Sequence, residues 1–90
     1  MEIQFEKIDN TYIGYVQLTD VCALHIVRIG SGVLSIEQSH VDDGNYSPVK
    51  ECTNVIYPKT VDIVIDDKVF PVFLKIISYS EVESAELIIP

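Results

Sequence analysis

The stretch from Val33 to Val49 constrains the fold of this chain more than any other part of the sequence. It reads VLSIEQSHVDDGNYSPV: an alternation of apolar and polar residues, then Asp43-Gly44-Asn45, then a second short run. Asp-Gly and Gly-Asn pairs tolerate the positive φ angles that let a tight turn match the twist of its flanking strands. The stretch therefore predicts a strand, a tight turn and a second strand.

The same period-two alternation extends over the rest of the chain, and helical periodicity is almost absent. The stretch TVDIVID (60–66) places three apolar residues on one face and Asp62 on the other, where Val64 is the apolar exception. About eight short strands at roughly ten-residue spacing are typical of an all-β sandwich or barrel. No linker, low-complexity segment or internal repeat is evident in the sequence. We therefore expect one antiparallel β-sandwich domain spanning residues 1–90.

Two of the predicted strands, 22–29 and 70–77, are apolar on both faces. An antiparallel strand with one solvent-exposed face should alternate apolar and polar residues. A strand that is apolar on both faces therefore indicates either the centre of a sandwich or a contact between subunits. The candidate interface residues drawn from these strands are Leu24, Ile26, Val27, Phe70, Val72, Phe73 and Ile76.

The composition points to a partner. Hydrophobic residues make up 48% of the chain and its mean hydropathy is +0.26. Because a small domain needs much polar surface, this apolar excess predicts that some of it is buried against another molecule. The simplest such partner is a second copy, so we expect a homo-oligomer.

The net charge limits the classes of partner. Fourteen Asp and Glu against six Lys and Arg give a formal net charge of −8. Phosphate backbones select basic surfaces, which argues against direct binding of DNA or RNA. The acids either keep an apolar domain in solution or meet a basic protein surface, for instance by mimicking nucleic acid.

No residue pattern indicates catalysis, a cofactor or a metal, so we expect a non-enzymatic protein. His25 and His40 have no evident nucleophile partner, and the turn at Asp42-Asp43 lacks the ligand spacing of an EF-hand. Cys22 and Cys52 are either buried free thiols or one disulfide. The N-terminus has no signal-peptide pattern and no apolar run is long enough to span a membrane, so we expect no membrane association.

Turn residues and tyrosines are the residues of this sequence best suited to surface contacts. A tyrosine on a β-sheet surface stacks on a sugar ring or fills a hot spot in a protein interface. Carbohydrate binding therefore stays open as an alternative to a purely structural role. The candidate contact residues in the loops are Asp42, Asp43, Asn45, Tyr46 and Tyr57.

One pattern resembles a known group of proteins. The segment SHVDDGNYSPV (39–49) is followed by an apolar strand, VFLKI (72–76), and by a Ser-containing return into a last strand, SAELI (84–88). This order resembles the small jelly-roll-like sandwich domains of tailed-phage virion proteins: head decoration proteins, head fibres and tail adhesins. Discoidin-like and carbohydrate-binding domains share a similar order.

The resemblance implies a jelly-roll-like fold and a structural role in the virion. The protein would be made in the host cytoplasm and would associate with itself and with other virion proteins on the particle. Two alternatives remain at this stage: a carbohydrate-binding or adhesin module, and an acidic inhibitor of a nucleic-acid-binding host protein.

Overall fold

The protein is all-β, with nine strands in the part of the chain that the structure describes. A computed structural model describes residues 1–41, 45–49, 52–66 and 68–89. The strands are β1 (Phe5–Ile8), β2 (Thr11–Leu18), β3 (Cys22–Arg28), β4 (Gly32–Ser39), β5 (Ser47–Pro48), β6 (Val55–Tyr57), β7 (Thr60–Ile65), β8 (Val72–Ser78) and β9 (Val82–Ile88).

The strands form two antiparallel sheets. The larger sheet has the order β1-β2-β8-β4, and both β5 and β6 pair with the remaining side of β4. The smaller sheet has the order β7-β3-β9. Its β9 side is extended by the first residues of the chain, where the Ile3 amide donates to the Ala85 carbonyl at 2.8 Å. The predicted antiparallel β-sandwich is confirmed.

The core is formed by the inward rows of the central strands. In β3 and β8, buried and half-buried residues alternate along the whole strand, as expected when one face meets the opposite sheet. Leu24 and Ile26 from the smaller sheet, and Ile36, Leu74 and other residues from the larger one, have no exposed surface. Cys22 also lies in this core, and both cysteines are free thiols.

The hairpin predicted from 33–49 is present as an antiparallel pair. Glu37 lies opposite Pro48 and Gln38 opposite Ser47. The turn residues Asp42, Asp43 and Gly44 lie outside the described residues.

Gly14 is a point of close approach within β2. The ring of Phe5, its cross-strand partner, lies 2.9 Å from the position that a Cβ on Gly14 would occupy. Any side chain at this position would displace the ring, so the absence of a Cβ lets Phe5 cover the strand and pack against the core.

The two halves of the chain repeat one topology, although no repeat is evident in the sequence. In the first half, β2 and β4 belong to the larger sheet and β3 belongs to the smaller one. In the second half, β7 and β9 belong to the smaller sheet and β8 belongs to the larger one. The central strand of each sheet comes from one half of the chain, and its two neighbours come from the other half. Leu24 and Ile26 of β3 correspond to Leu74 and Ile76 of β8, and these few shared positions are too sparse for the sequence to reveal the repeat.

Arg28, at the end of β3, joins the two sheets. Its side chain is completely buried. Nη2 donates to the carbonyl oxygens of Tyr57 at 2.9 Å and Pro58 at 2.8 Å, and Nη1 donates to Ser78 Oγ at 3.3 Å. Its backbone amide donates to the Lys59 carbonyl at 2.9 Å. Arg28 therefore holds the segment that leads from β6 into β7. Burial lowers the pKa of its guanidinium from the usual value.

Candidate functional site

The structure revises the interface predicted from the two-sided apolar strands. Leu24, Ile26, Val72 and Ile76 have no exposed surface, so they hold the sheets together and are inaccessible to a partner. Val27, Phe70 and Phe73 are half-buried. The two predicted strands are present as β3 and β8, but a strand that is apolar on both faces does not show which row faces the core.

The outward row of β3 forms an apolar pocket with its neighbours. Ala23 lies between Val64 of β7 and Ile88 of β9, which are its cross-strand partners on either side. Because the small Ala23 side chain lies between two larger ones, the face dips there. Together with Val21 and Cys22, these residues line a shallow pocket of about 240 Å³. Val64 is 66% exposed and Ile88 is 48% exposed.

A polar row borders the apolar pocket. His25 lies between Asp62 of β7 and Glu86 of β9, and Glu2 forms a bridge beside Glu86. The Nδ1 atom of His25 lies 2.5 Å from Asp62 Oδ1. His25 is thus a strand residue with a local side-chain partner on the neighbouring strand. The outer face of the smaller sheet is thus apolar at one end and acidic in the next row.

The outer edge of β7 is open. Strand β7 is the terminal strand of the smaller sheet, and no described residue forms a ladder with its outer side. Its outward residues include Val64 and Asp62, while the inward Ile63 is only half-buried. An unpaired strand edge presents a row of backbone N–H and C=O groups that can accept another strand. The edge and the apolar pocket are contiguous through Val64.

Two of the tyrosines form an aromatic pair on the outer face of the larger sheet. The ring centroids of Tyr15 and Tyr46 are 5.9 Å apart, with a tilt of 54° between the ring planes. Lys75 is the cross-strand partner of both Tyr15 and Glu37, and its Nζ lies 3.9 Å from Glu37 Oε1. Tyr15 was not among the predicted contact residues, and its position across from Lys75 could not be read from the sequence.

The other predicted loop contacts do not form one site. Asn45 is exposed and Tyr46 is half-buried, whereas Asp42 and Asp43 lie outside the described residues. Tyr57 packs against the core instead of standing free. Burial raises the pKa of its phenol, and the neighbouring Cys52 raises it further.

The site offers packing surface and hydrogen-bonding edges. Within the described ranges, no group of three or more His, Cys, Asp or Glu residues is arranged to hold a metal ion. In the same part of the chain, no helix has the length and apolar character required to cross a membrane.

Comparison with known proteins adds no relative from which a role could be transferred. No protein-family model, curated protein or solved structure matches the chain.

Proposed function

We propose that this protein is a non-enzymatic structural component of a tailed-phage virion, acting by self-association and by docking on the particle. The observation that carries the proposal is the exposed apolar pocket on the smaller sheet, contiguous with an unpaired strand edge. A surface of this kind favours a permanent partner, because leaving it in water has a continuing free-energy cost. The β-sandwich and the strand order resembling virion domains supply the class of particle.

Burial of apolar side chains would drive the association. Each Å² of apolar surface removed from water contributes about 25 cal/mol, so several half-exposed aliphatic residues together matter. In the described structure Val64, Ile88 and Ile89 are 66%, 48% and 57% exposed. The abundant acidic residues would keep the protein dispersed before it meets the particle.

The test is whether the protein travels with particles. Virions produced from the genome that encodes the chain are purified through a density gradient, and the chain is quantified against the major capsid protein by mass spectrometry. We expect a constant ratio across the particle band. If the chain stays in the soluble fractions while capsid protein bands normally, the virion role is wrong.

The Tyr15–Tyr46 pair favours one alternative, a carbohydrate-binding module. Tyr15 is 57% exposed, so one face of the pair is accessible to a sugar ring. Binding on a glycan array that is lost in Tyr15→Ala, and retained when the equally exposed Tyr79 is changed to Ala, would support it. An array without signal for the unmodified protein would eliminate it.

A further inference from the structure

Among the strand edges that the structure describes, that of β7 is the least protected. Its sequence, TVDIVI, contains no proline and one charged residue, Asp62. The opposite edge of the smaller sheet is covered by residues 1–3. In the larger sheet, β1 carries two charged residues, β5 contains Pro48, and β6 has only three residues and is followed by Pro58. Short, charged or proline-containing edges resist pairing, and β7 has little of this protection.

The internal repeat shows how such an edge is used within this same molecule. Strand β7 occupies the position in the smaller sheet that β2 occupies in the larger one, beside the central strand. Leu18 pairs with Val72 at the end of one ladder, and Ile65 pairs with Cys22 at the end of the other. The edge of β2 is covered by β1 over Thr11 to Gly14. No described strand of the chain holds the corresponding place beside β7.

We propose that β7 pairs antiparallel with β7 of a second copy of this chain, forming a two-fold dimer with one sheet continuous across both protomers. The inference rests on the self-association in the proposed function and names the surface that performs it. A second copy fits because a two-fold pairing brings apolar residues of β7 together on the core side, where the half-buried Ile63 lies at the open edge.

The length of the overlap and the charges together select one register for this pairing. In an antiparallel pair, directly opposite residues point to the same face of the sheet. Two copies of β7 related by a two-fold axis must therefore pair around one central residue, which lies opposite its own copy. Centring on Val61 or Ile65 would pair only one end of β7 with its copy. Centring on Asp62 would oppose two Asp62 carboxylates, and centring on Val64 would oppose Asp62 and Asp66.

Centring on Ile63 avoids both conflicts. It places Asp62 opposite Val64 and Val61 opposite Ile65, so no like charges meet directly. This arrangement also carries the apolar pocket of each protomer to the dimer seam, because Val64 lines that pocket.

The experiment is the mass of the protein by size-exclusion chromatography with light scattering over a concentration series. Val64→Asp would place a new carboxylate opposite Asp62 twice in each dimer, while the 66% exposure of Val64 spares the fold of the protomer. Ile56→Asp is the matched control, because Ile56 is 75% exposed on an edge strand of the other sheet. Asp62→Lys in the Val64→Asp background would restore complementary charges at both positions. Circular dichroism checks that each variant is folded.

We expect a dimer for the unmodified chain and for Ile56→Asp. Val64→Asp should weaken dimerisation roughly tenfold or more, and the double variant should recover it. A monomeric unmodified chain, an oligomer that Val64→Asp leaves intact, or a double variant that remains dissociated overturns the β7 pairing. An intact oligomer would leave self-association standing and show that another surface performs it. The particle-band measurement decides the virion role independently of all these outcomes.

Discussion

At the scale of single residues, Arg28 is the most unusual feature of the molecule. A fully buried guanidinium ordinarily has a carboxylate partner. The hydrogen bonds described for Arg28 all end on carbonyl or hydroxyl oxygens, namely those of Val33, Ser78, Tyr57 and Pro58. The positive charge is therefore stabilised by the dipoles of neutral oxygen acceptors, and it supplies donors to the carbonyls of Tyr57 and Pro58.

Replacement of Arg28 tests that dependence. Arg28→Met should lower the free energy of unfolding by about 2–4 kcal/mol, because the Tyr57 and Pro58 carbonyls lose charged donors in a partly buried setting. The stability of Arg28→Lys should fall between that of Arg28→Met and that of the unmodified chain, since one ammonium group cannot reach the same set of acceptors. Urea denaturation measures both variants. If Arg28→Met is as stable as the unmodified chain or more stable, burying the charge costs more free energy than its hydrogen bonds contribute.

We expect Cys22 to make the stability of the protein sensitive to alkaline pH. Burial raises the pKa of its thiol, and the nearby charge of Asp20 raises it further. Below the ordinary thiol pKa of about 8.5, the folded and unfolded states are both protonated and the stability is fully present. Above it, the unfolded state loses the proton first, so stability falls as pH rises towards the folded pKa.

Urea unfolding at a series of pH values checks this expectation. The unmodified chain should lose stability above about pH 8.5 more steeply than Cys22→Ala does, although Cys22→Ala should be less stable at neutral pH because it leaves a small cavity. The quantity compared is the slope, so the cavity does not affect the conclusion. If stability falls with pH at the same slope in both proteins, the Cys22 thiol does not control stability at alkaline pH.

At the scale of elements, the sequence predicted the strands better than it predicted which way they face. Strand β8 illustrates the reason. Its apolar residues occur in both rows, so alternation alone does not identify the core side. The signal that could have been used is the one charged residue in the strand: Lys75 lies in the outward row, as His25 does in β3.

Arg28 shows why that signal also has exceptions. It belongs to the inward row of β3, although it is the most strongly charged residue in the strand. Only the carbonyls brought there by β6 and the segment after it make this position suitable for a guanidinium. Those carbonyls come from about thirty residues further along the chain, and a local pattern cannot anticipate such partners. The apolar pocket escaped prediction for the same reason, because its residues come from three strands.

Two adjacent isoleucines in β8 test which row of side chains in this strand faces the core. Ile76 has no exposed surface, whereas Ile77 is in the outward row and half-buried. Ile76→Ala should lower the free energy of unfolding by about 2–5 kcal/mol because it leaves a cavity between the sheets. Ile77→Ala should cost about 1 kcal/mol, since little apolar area is lost. Denaturant titration of both variants provides the comparison. Equal losses in the free energy of unfolding would contradict the assignment of Ile76 to the core side and Ile77 to the outer side.

At the scale of the whole molecule, the repeated topology and the net charge act in opposite directions on association. In the repeat, the edge of β2 in the larger sheet is covered by β1, whereas no described strand covers the equivalent edge of β7 in the smaller sheet. Covering that edge with a second copy brings together two chains, each with a formal net charge of −8. Pairing of β7 is therefore driven by backbone hydrogen bonds and apolar contact, and it is opposed by repulsion between the protomers.

The dependence of association on salt follows from this opposition and separates the proposed function from the acidic-inhibitor alternative. Raising the ionic strength from about 0.1 M to about 1 M shortens the Debye length from about 10 Å to about 3 Å and screens the repulsion between two acidic protomers. The dissociation constant of the dimer should therefore fall with added salt, as measured by analytical ultracentrifugation at several concentrations. Binding to a basic surface would respond in the opposite direction, because the same screening removes an attraction. A self-association that weakens in salt would mean that the copies are held by charge pairs, and the register centred on Ile63 places no such pair between residues 61 and 65.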